Sequence, residues 1–320
     1  MATRVFALAG VLGMLAVALG DEAVPLPTRK SIILSKEGTV YYVEGRQTIP
    51  WGCEISAQKD IHIVGRGSGA VLVVEGSLQA HGVDGREIIF EGLTVEPAAR
   101  CEDIQLDMVI FRKGGGVRTA KGKPIKGKIF IENATFHDTA SIDLHLYAGE
   151  VDLLDVSSYA QVRVEGVPAA GKTVSELKFK TIGGNYSGGL FLTGARDATV
   201  RINVLGGTTS EFVDCRKLTF DGNKVRSQTL LFRQTRAGRF SKTKLQKCDI
   251  YSDRVVFDAP VAKRKERCSI DKCWFRGLTK AREIQEKVIH DARRNPKSGV
   301  TAVFRKIKKK PLELAGPVDR

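Results

Sequence analysis

Apolar side chains recur in a repeated pattern between Ile104 and Phe275. We call each repeat unit a phrase. In each phrase two apolar residues alternate with mostly polar ones, and a further apolar or small residue follows three positions later. The alternation is typical of a strand with one buried face. Successive phrases lie 18 to 26 residues apart, and this near-regular period of short strands indicates a solenoid. The phrases begin at Ile104, Ile129, Val151, Leu177, Val200, Leu218, Thr243 and Cys268.

A second alternating run lies between consecutive phrases, as in Ile142, Leu144 and Leu146. Each coil is therefore expected to contain at least two strands. No segment has helical spacing before Thr279, which excludes a fold of alternating strands and helices.

The C-terminal part of the chain changes period. Ala281, Ile284, Val288 and Ala292 recur at helical spacing, and Thr279 is a suitable N-cap. We predict an amphipathic capping helix over residues 280–293 and a closing strand over 300–304, because a solenoid must cover its terminal coils. At the other end, the segment 31–43 is expected to act as the cap.

The first twenty residues predict a secretory signal peptide. One basic residue, Arg4, precedes an uncharged stretch that ends in the small residues Ala18 and Gly20. A membrane anchor is the alternative, but no other segment has the length of a bilayer-spanning helix. We expect a secreted, periplasmic or cell-surface protein, divided into signal peptide (1–20), N-terminal segment and cap (21–47), β-helix (48–278), and C-terminal helix, strand and basic tail (279–320).

Three segments near the start of the repeat carry a resemblance to a known family. They are TIPWGCEI at 48–55, AVLVVEGSLQAHG at 70–82 and EIIF at 87–90. Their succession resembles the opening coils of exported right-handed parallel β-helix proteins of the pectin-lyase-like family. The resemblance covers about residues 39–277 and implies an all-β fold, a right-handed parallel β-helix solenoid with a C-terminal capping helix. None of the family's catalytic signatures occurs in the chain, so no catalytic residue is carried over.

Composition adds a preference for anionic partners. The 320 residues are 42% hydrophobic and carry a net charge of +15. Basicity favours an acidic polysaccharide or another cell-envelope polymer. Nucleic acid is not expected, since aromatic platforms and recognition helices are missing from the sequence. No feature predicts an oligomer, and we expect a monomer. A dense basic run, from Arg293 to Lys310, is a further candidate anchor for anionic polymer or lipid.

Six cysteines in an exported chain raise the question of disulfides. Cys248 and Cys273 occupy the same inward position of consecutive phrases. Side chains stacked on one sheet face point alongside each other, which favours a buried thiol stack, with a disulfide as the alternative. No CxxC motif occurs, so a zinc site is not expected.

The first candidate site is an outward sheet face. Alignment of the phrases places Asp107 beside Glu132, about 5 Å apart on neighbouring strands. Lyases that resemble this chain hold calcium with acidic residues on such a sheet, which makes calcium the one candidate cofactor. The predicted acidic side is Asp107, Glu132 and Asp152, and the predicted basic side, for a uronate carboxylate, is Lys178, Lys180 and Arg201. The alternative is a solvated sheet whose charges alternate for solubility.

The second candidate site lies on the other strand of each coil. Asp143 and His145 are two residues apart on one face and could share a proton, and Arg163 and Arg233 follow on later coils. Ordinary outward polar residues are the alternative interpretation. Together these patterns favour an exported β-helix that binds anionic polysaccharide or forms surface structure without catalysis. A divergent polysaccharide lyase or glycoside hydrolase that acts on uronic-acid-containing glycan is the alternative function.

Overall fold

The computed structural model describes residues 23–172, 175–235, 243–261, 266–295 and 297–311. These residues form a parallel β-solenoid of about ten turns, with 60% strand and 3% helix. The all-β solenoid expected from the repeat is confirmed. The predicted signal peptide, 1–20, lies outside the described residues. Within them, the helical content is too short and too polar to cross a bilayer.

The strands follow one another in chain order. The first are β1 Val24–Pro25, β2 Ile32–Leu34, β3 Val40–Ile49, β4 Glu54–Gln58, β5 His62–Val74, β6 Ser77–His81, β7 Ile88–Pro97, β8 Asp103–Asp107, β9 Val109–Arg118 and β10 Ile125–Glu132. The next are β11 Thr135–Phe136, β12 Ser141–Leu154, β13 Ser157–Ser158, β14 Val162–Gly166, β15 Glu176–Ile182, β16 Asn185–Tyr186, β17 Leu190–Thr193, β18 Asp197–Arg201, β19 Val204–Leu205 and β20 Thr209–Val213. The last are β21 Leu218–Asp221, β22 Lys224–Val225, β23 Thr229–Arg233, β24 Thr243–Gln246, β25 Asp249–Ile250, β26 Arg254–Asp258, β27 Glu266–Phe275, β28 Ile289–His290 and β29 Val300–Ile307, with helix α1 Ala281–Lys287 between β27 and β28.

Each coil contributes a strand segment to three parallel faces, one more than the sequence predicts as a minimum. Long strands such as β9 and β12 bend at a corner and belong to two faces. Face A contains β2, β4, β6, β8, β10, the end of β12, β15, β18, β21, β24, the start of β27, and β29. Face B contains β1, the starts of β3, β5, β7 and β9, then β11, β13, β16, β19, β22, β25 and the end of β27. Face C contains the ends of β3, β5, β7 and β9, the start of β12, then β14, β17, β20, β23, β26 and β28.

The core consists of vertical columns, because parallel strands in register place equivalent side chains one above another. On face B, Phe111 stacks between two phenylalanines of the neighbouring coils, with ring centroids 4.7 Å apart on both sides. On face C, Phe232 stacks between Phe212 and Phe257 at 5.3 and 5.4 Å. On face A the first and third positions of the repeat are buried as predicted, for example Ile104 and Leu106.

The corner between faces A and B is made by single residues in the left-handed region. Met108, Asn133, Asp155, Lys247 and Lys272 have φ between 47° and 53°. Such a conformation costs about 1 kcal/mol for a residue with a side chain. The corner therefore projects these side chains outward, and in the C-terminal coils two of them are lysines.

The fourth phrase folds with a register that differs from the predicted one. Phe179 pairs with Val151, and Thr181 pairs with Leu153, so the strand lies two residues further along than the apolar pattern indicates. Thr181 is buried, and its hydroxyl is 2.7 Å from the Tyr186 hydroxyl, which satisfies the polar group inside the core. The side chain of Ile182 was predicted to point into the core, but Ile182 pairs with Leu154 at an outward position of the strand.

The C-terminal cap is shorter and more strand-rich than predicted. The helix spans Ala281–Lys287 instead of 280–293, because Ile289–His290 pairs with β26 as the last strand of face C. Thr279 is not the N-cap; Lys280 occupies that position without a side-chain capping bond. The predicted final strand is confirmed and extends to Ile307, pairing with β27.

The N-terminal segment, 21–47, already contains strands. There β1 pairs with β3, and β2 pairs with β4. The solenoid coils therefore begin ahead of residue 48, where the sequence repeat places their start.

The cysteines are all free thiols, which confirms the predicted thiol stack. Cys248 and Cys273 are fully buried on adjacent coils. A hydrogen bond with the Cys248 thiol, together with burial, holds the pKa of Cys273 well above its ordinary value.

Candidate functional site

The acidic residues predicted on face A only partly converge. Asp107 and Glu132 are direct cross-strand neighbours, and the Asn133 amide donates a hydrogen bond of 3.1 Å to Asp107. Asp152 lies in the adjacent column, opposite Lys180, and burial raises its pKa while Lys180 opposes the change. Calcium needs six to eight oxygen ligands, and two adjacent carboxylates do not supply them. Among the described residues no group of three or more His, Cys, Asp or Glu side chains could hold a metal ion.

The basic residues predicted beside them are separated from one another because the fourth and fifth coils both fold out of the predicted register. Lys178 pairs with Glu150, 2.6 Å from its Oε1, and lies in a different column from Lys180. Arg201 lies opposite Ile182, two positions from the column of Lys180. The six charged residues predicted for this face therefore do not form one continuous cleft.

One edge of face A is a ladder of alternating charges. Successive coils place an acid opposite a base, and Lys217 Nζ lies 3.1 Å from Asp197 Oδ1. Two ion pairs form along it, Lys178 with Glu150 and Lys217 with Asp197, which supports the solubility interpretation for this part of the face. In coil order the ladder consists of Asp103, Lys128, Glu150, Lys178, Asp197 and Lys217.

The candidate strip on face C is brought together in register. Asp143 pairs with Arg163, and His145 pairs with Glu165. His145 lies between two carboxylates, with Nδ1 3.0 Å from Glu165 Oε2 and Nε2 3.4 Å from Asp143 Oδ1. His145 is therefore within ion-pair distance of both carboxylates, but Asp143 Oδ1 accepts no hydrogen bond within the described residues, so proton sharing between Asp143 and His145 stays a prediction.

The two arginines of this strip already have partners. The Arg163 guanidinium lies 5.5 Å from the centroid of the Phe191 ring. Arg233 lies 3.7 Å from Glu211 and 3.3 Å from Asp258. On face C the charge of Arg233 is therefore neutralised by carboxylates, whereas Arg163 contacts a ring.

A further cluster, around Glu91 on face B, is not indicated by the sequence repeat. Arg112 Nε lies 2.7 Å from Glu91 Oε2, and His62 Nε2 lies 3.4 Å from the same oxygen. Burial lowers the pKa of His62, more than the nearby Glu91 raises it. Burial of Glu91 raises its pKa, but hydrogen bonds from Lys113 and Arg112 outweigh this and hold the pKa below its usual range.

This cluster predicts a loss of stability in mild acid. As the pH falls through about 6.5, the unfolded chain takes up a proton at His62 that the folded protein does not, so the free energy of unfolding decreases. Depression of the Glu91 pKa adds a further decrease below about pH 4.5. We expect His62→Gln to reduce the difference between urea midpoints measured at about pH 7.5 and about pH 5.5. The exposed His81→Gln variant is the control, and an unchanged difference in His62→Gln would contradict the assignment.

Positive charge is concentrated in the C-terminal coils. The chain has 51 Lys and Arg and 36 Asp and Glu. Residues 1–200 contain 21 basic and 23 acidic residues, a net charge of −2, whereas residues 201–320 contain 30 basic and 13 acidic residues, a net charge of +17. The whole excess of positive charge therefore lies in residues 201–320, and the sequence alone shows this asymmetry.

The C-terminal coils also place unpaired cations side by side. Lys247 and Lys272 follow the paired residues Gln246 and Asp271, so they are neighbours on the corner between faces A and B. We name as the basic face Lys244, Lys247, Arg267, Lys272, Lys306 and Lys308. Within the part of the chain that the structure describes, none of these six forms an ion pair.

Comparison of the chain with protein-family models, with curated proteins and with solved structures finds no match.

Proposed function

We propose that this chain is an exported β-helix of the pectin-lyase-like type that binds an acidic polysaccharide or another anionic cell-envelope polymer without cleaving it. The observation that carries the proposal is the basic face, which combines the net charge of +17 in residues 201–320 with six cations that lack an ion pair in the described chain. The central coils provide the contrast, because Lys178 and Lys217 of the ladder are ion-paired with Glu150 and Asp197.

Electrostatics favours a long polyanion over a small anion on this surface. Parallel coils repeat about every 4.8 Å, so Lys247 and Lys272 present charges in a row along the solenoid axis. A polymer with regularly spaced anionic groups can engage several such cations at once and release the counterions bound to it. A small anion gains only one or two of these contacts. The Asp271 carboxylate lies within the same face and limits how closely a polyanion can approach that column.

A second candidate function is glycan cleavage. The specific observation in its favour is His145, held between the carboxylates of Asp143 and Glu165. A carboxylate–histidine pair can act as a general base. The partly neutralised face around it and the incomplete convergence of Asp107, Glu132 and Asp152 make cleavage the weaker candidate.

The binding proposal predicts salt-dependent retention on acidic polysaccharides. We expect the purified protein to bind immobilised polyuronate and sulfated polysaccharide, but not neutral dextran, and to elute as salt rises. Changing four cations of the basic face (Lys244, Lys247, Arg267 and Lys272) to glutamine should lower the affinity about 100-fold and reduce the slope of log affinity against log salt by roughly three to four.

A matched variant removes the same charge from ion-paired lysines. Lys113, Lys172, Lys178 and Lys217 each contact a carboxylate, so their joint replacement by glutamine should change affinity by less than about threefold. Equal losses in the two variants would show that net charge alone governs binding. Absence of retention on every polyanion would refute the proposed function, and release of unsaturated or reducing ends would favour the enzymatic candidate.

A further inference from the structure

Aromatic and basic side chains are stacked along the corner between faces B and C. Each residue of this column from His137 onward donates its backbone N–H to the coil below, as in Tyr251 to Val225 (2.8 Å) and Arg276 to Ile250 (3.0 Å). The bonds therefore place one column residue on each coil, about 4.8 Å above the last. In coil order the column consists of Arg112, His137, Tyr159, Ser187, Gly206, Arg226, Tyr251 and Arg276.

Two aromatic platforms lie in the column. The His137 and Tyr159 rings are stacked, with centroids 5.4 Å apart and an interplanar angle of 17°, and Tyr159 is 59% exposed. Tyr251 contacts Trp274 edge-on at 5.2 Å. Tyr251 is half-buried, whereas Tyr159 is exposed. An accessible aromatic ring with a polar tip offers an apolar surface together with a hydrogen-bonding group, which suits the alternating faces and hydroxyls of a sugar.

Two arginines frame the second platform. Arg226 lies one coil below Tyr251, and Arg276 lies one coil above it. Both side chains are exposed, and neither forms an ion pair within the described residues. Arg112, at the other end, is already paired with Glu91. A guanidinium binds a carboxylate or sulfate through two parallel hydrogen bonds, so the free pair offers sites for two anionic groups.

The positions between the platforms carry the smallest side chains of the column. Ser187 and Gly206 separate Tyr159 from Arg226. Because their side chains are small, the corner protrudes little over these two coils, which form its low section. Tyr159 and Tyr251 are four coils apart, about 19 Å along the axis. A short oligosaccharide can therefore lie across the low section with sugar rings on both platforms.

We propose that this corner column, from His137 to Arg276, is a binding subsite for acidic oligosaccharide, with sugar rings on Tyr159 and Tyr251 and anionic groups at Arg226 and Arg276. The proposal rests on the proposed function and extends it, because it assigns sugar recognition to a surface separate from the basic face. The basic face supplies general attraction for polyanions, and the corner column distinguishes sugars from other anions.

The test uses Trp274 as a reporter of the subsite. In a Trp51→Phe background Trp274 is the remaining tryptophan, since the chain has two. We expect its emission to change on titration with a uronic-acid hexasaccharide and to stay constant with the neutral hexasaccharide. Arg226→Gln with Arg276→Gln should weaken hexauronide binding about tenfold. Tyr159→Ala should weaken it about fivefold, because an exposed ring contributes to binding and little to folding.

The matched control is the pair Arg196→Gln with Arg216→Gln. These exposed arginines are neighbours on another corner, where their backbone N–H groups donate hydrogen bonds to Leu177 and Ala195. Their replacement removes the same charge as the subsite pair. We expect less than a twofold change. Equal weakening by both pairs, or hexauronide binding with constant Trp274 emission, would overturn the subsite and leave polyanion binding by the basic face intact. Tighter binding of a single-stranded oligonucleotide than of the hexauronide would also overturn it. Lack of binding to any acidic polysaccharide would remove the proposed function as well.

Discussion

Phe232→Ala is expected to lower the free energy of unfolding by about 3–5 kcal/mol. The Phe232 ring is 1% exposed and stacks between Phe212 and Phe257, with Phe220 edge-on at 5.7 Å. Removing it leaves a cavity that three neighbouring rings cannot fill, because each is held by its own coil. Urea unfolding followed by circular dichroism measures the loss.

The control for this prediction is on the same strand. Leu231 alternates with Phe232 and lies half-buried on the outward side of face C. We expect Leu231→Ala to cost less than about 1 kcal/mol, since it leaves no enclosed cavity. A comparable loss in the two variants would contradict the assignment of Phe232 to the shared core column.

Asp291→Ala is expected to destabilise the C-terminal cap by about 4 kcal/mol. The carboxylate is fully buried and accepts three hydrogen bonds, from the Gln285 amide (3.1 Å), the Arg293 N–H (2.9 Å) and the Ala302 N–H (2.8 Å). Alanine leaves three donors without an acceptor in a place that water does not reach. This residue joins the helix α1, the turn after β28 and the strand β29, so its loss should open all three together.

Hydrogen exchange measures the expected opening. Amides of β28 and β29 should lose protection in Asp291→Ala, while those of the central coils keep it, because a solenoid transmits stability mainly between neighbours. Exposed Asp253→Ala is the matched control and should leave the protection pattern unchanged. Uniform loss of protection along the chain would show that the cap and the central coils unfold as one unit.

The fold followed from the sequence wherever apolar alternation was unambiguous. Leu106, Ile131 and Ile270 are fully buried at the predicted inward position. The prediction of register failed at the fourth and fifth phrases, where the local apolar pattern favoured the wrong pair of residues. In the fourth coil Leu177 is buried as well, but Phe179 and Thr181 occupy the first and third positions of the repeat. The polar Thr181 is acceptable there only because Tyr186, five residues on, supplies its hydrogen bond. Local pattern cannot show such a partner.

The same register error explains why the candidate site was only partly predicted. Asp107 and Glu132 are neighbours as expected, since their phrases were aligned correctly. The alignment of the phrases predicts Lys178 beside Asp152, whereas Lys178 lies opposite Glu150, one residue before the third phrase begins. A shift of two residues keeps each side chain on the same side of the sheet but moves it to another column. The sequence therefore predicted which side chains point outward, but not which side chains are their neighbours on adjacent coils.

The sequence by itself determined the solenoid, the buried columns and the concentration of positive charge in residues 201–320, because these depend on the order and type of residues along the chain. Tertiary structure decided which outward side chains meet across coils, since that depends on strand register and on the position of each corner. The ion pair of Lys178 with Glu150, the adjacency of Lys247 and Lys272, and the column that joins Tyr159 to Arg276 all depend on contacts between coils, and turns of unequal length set these contacts.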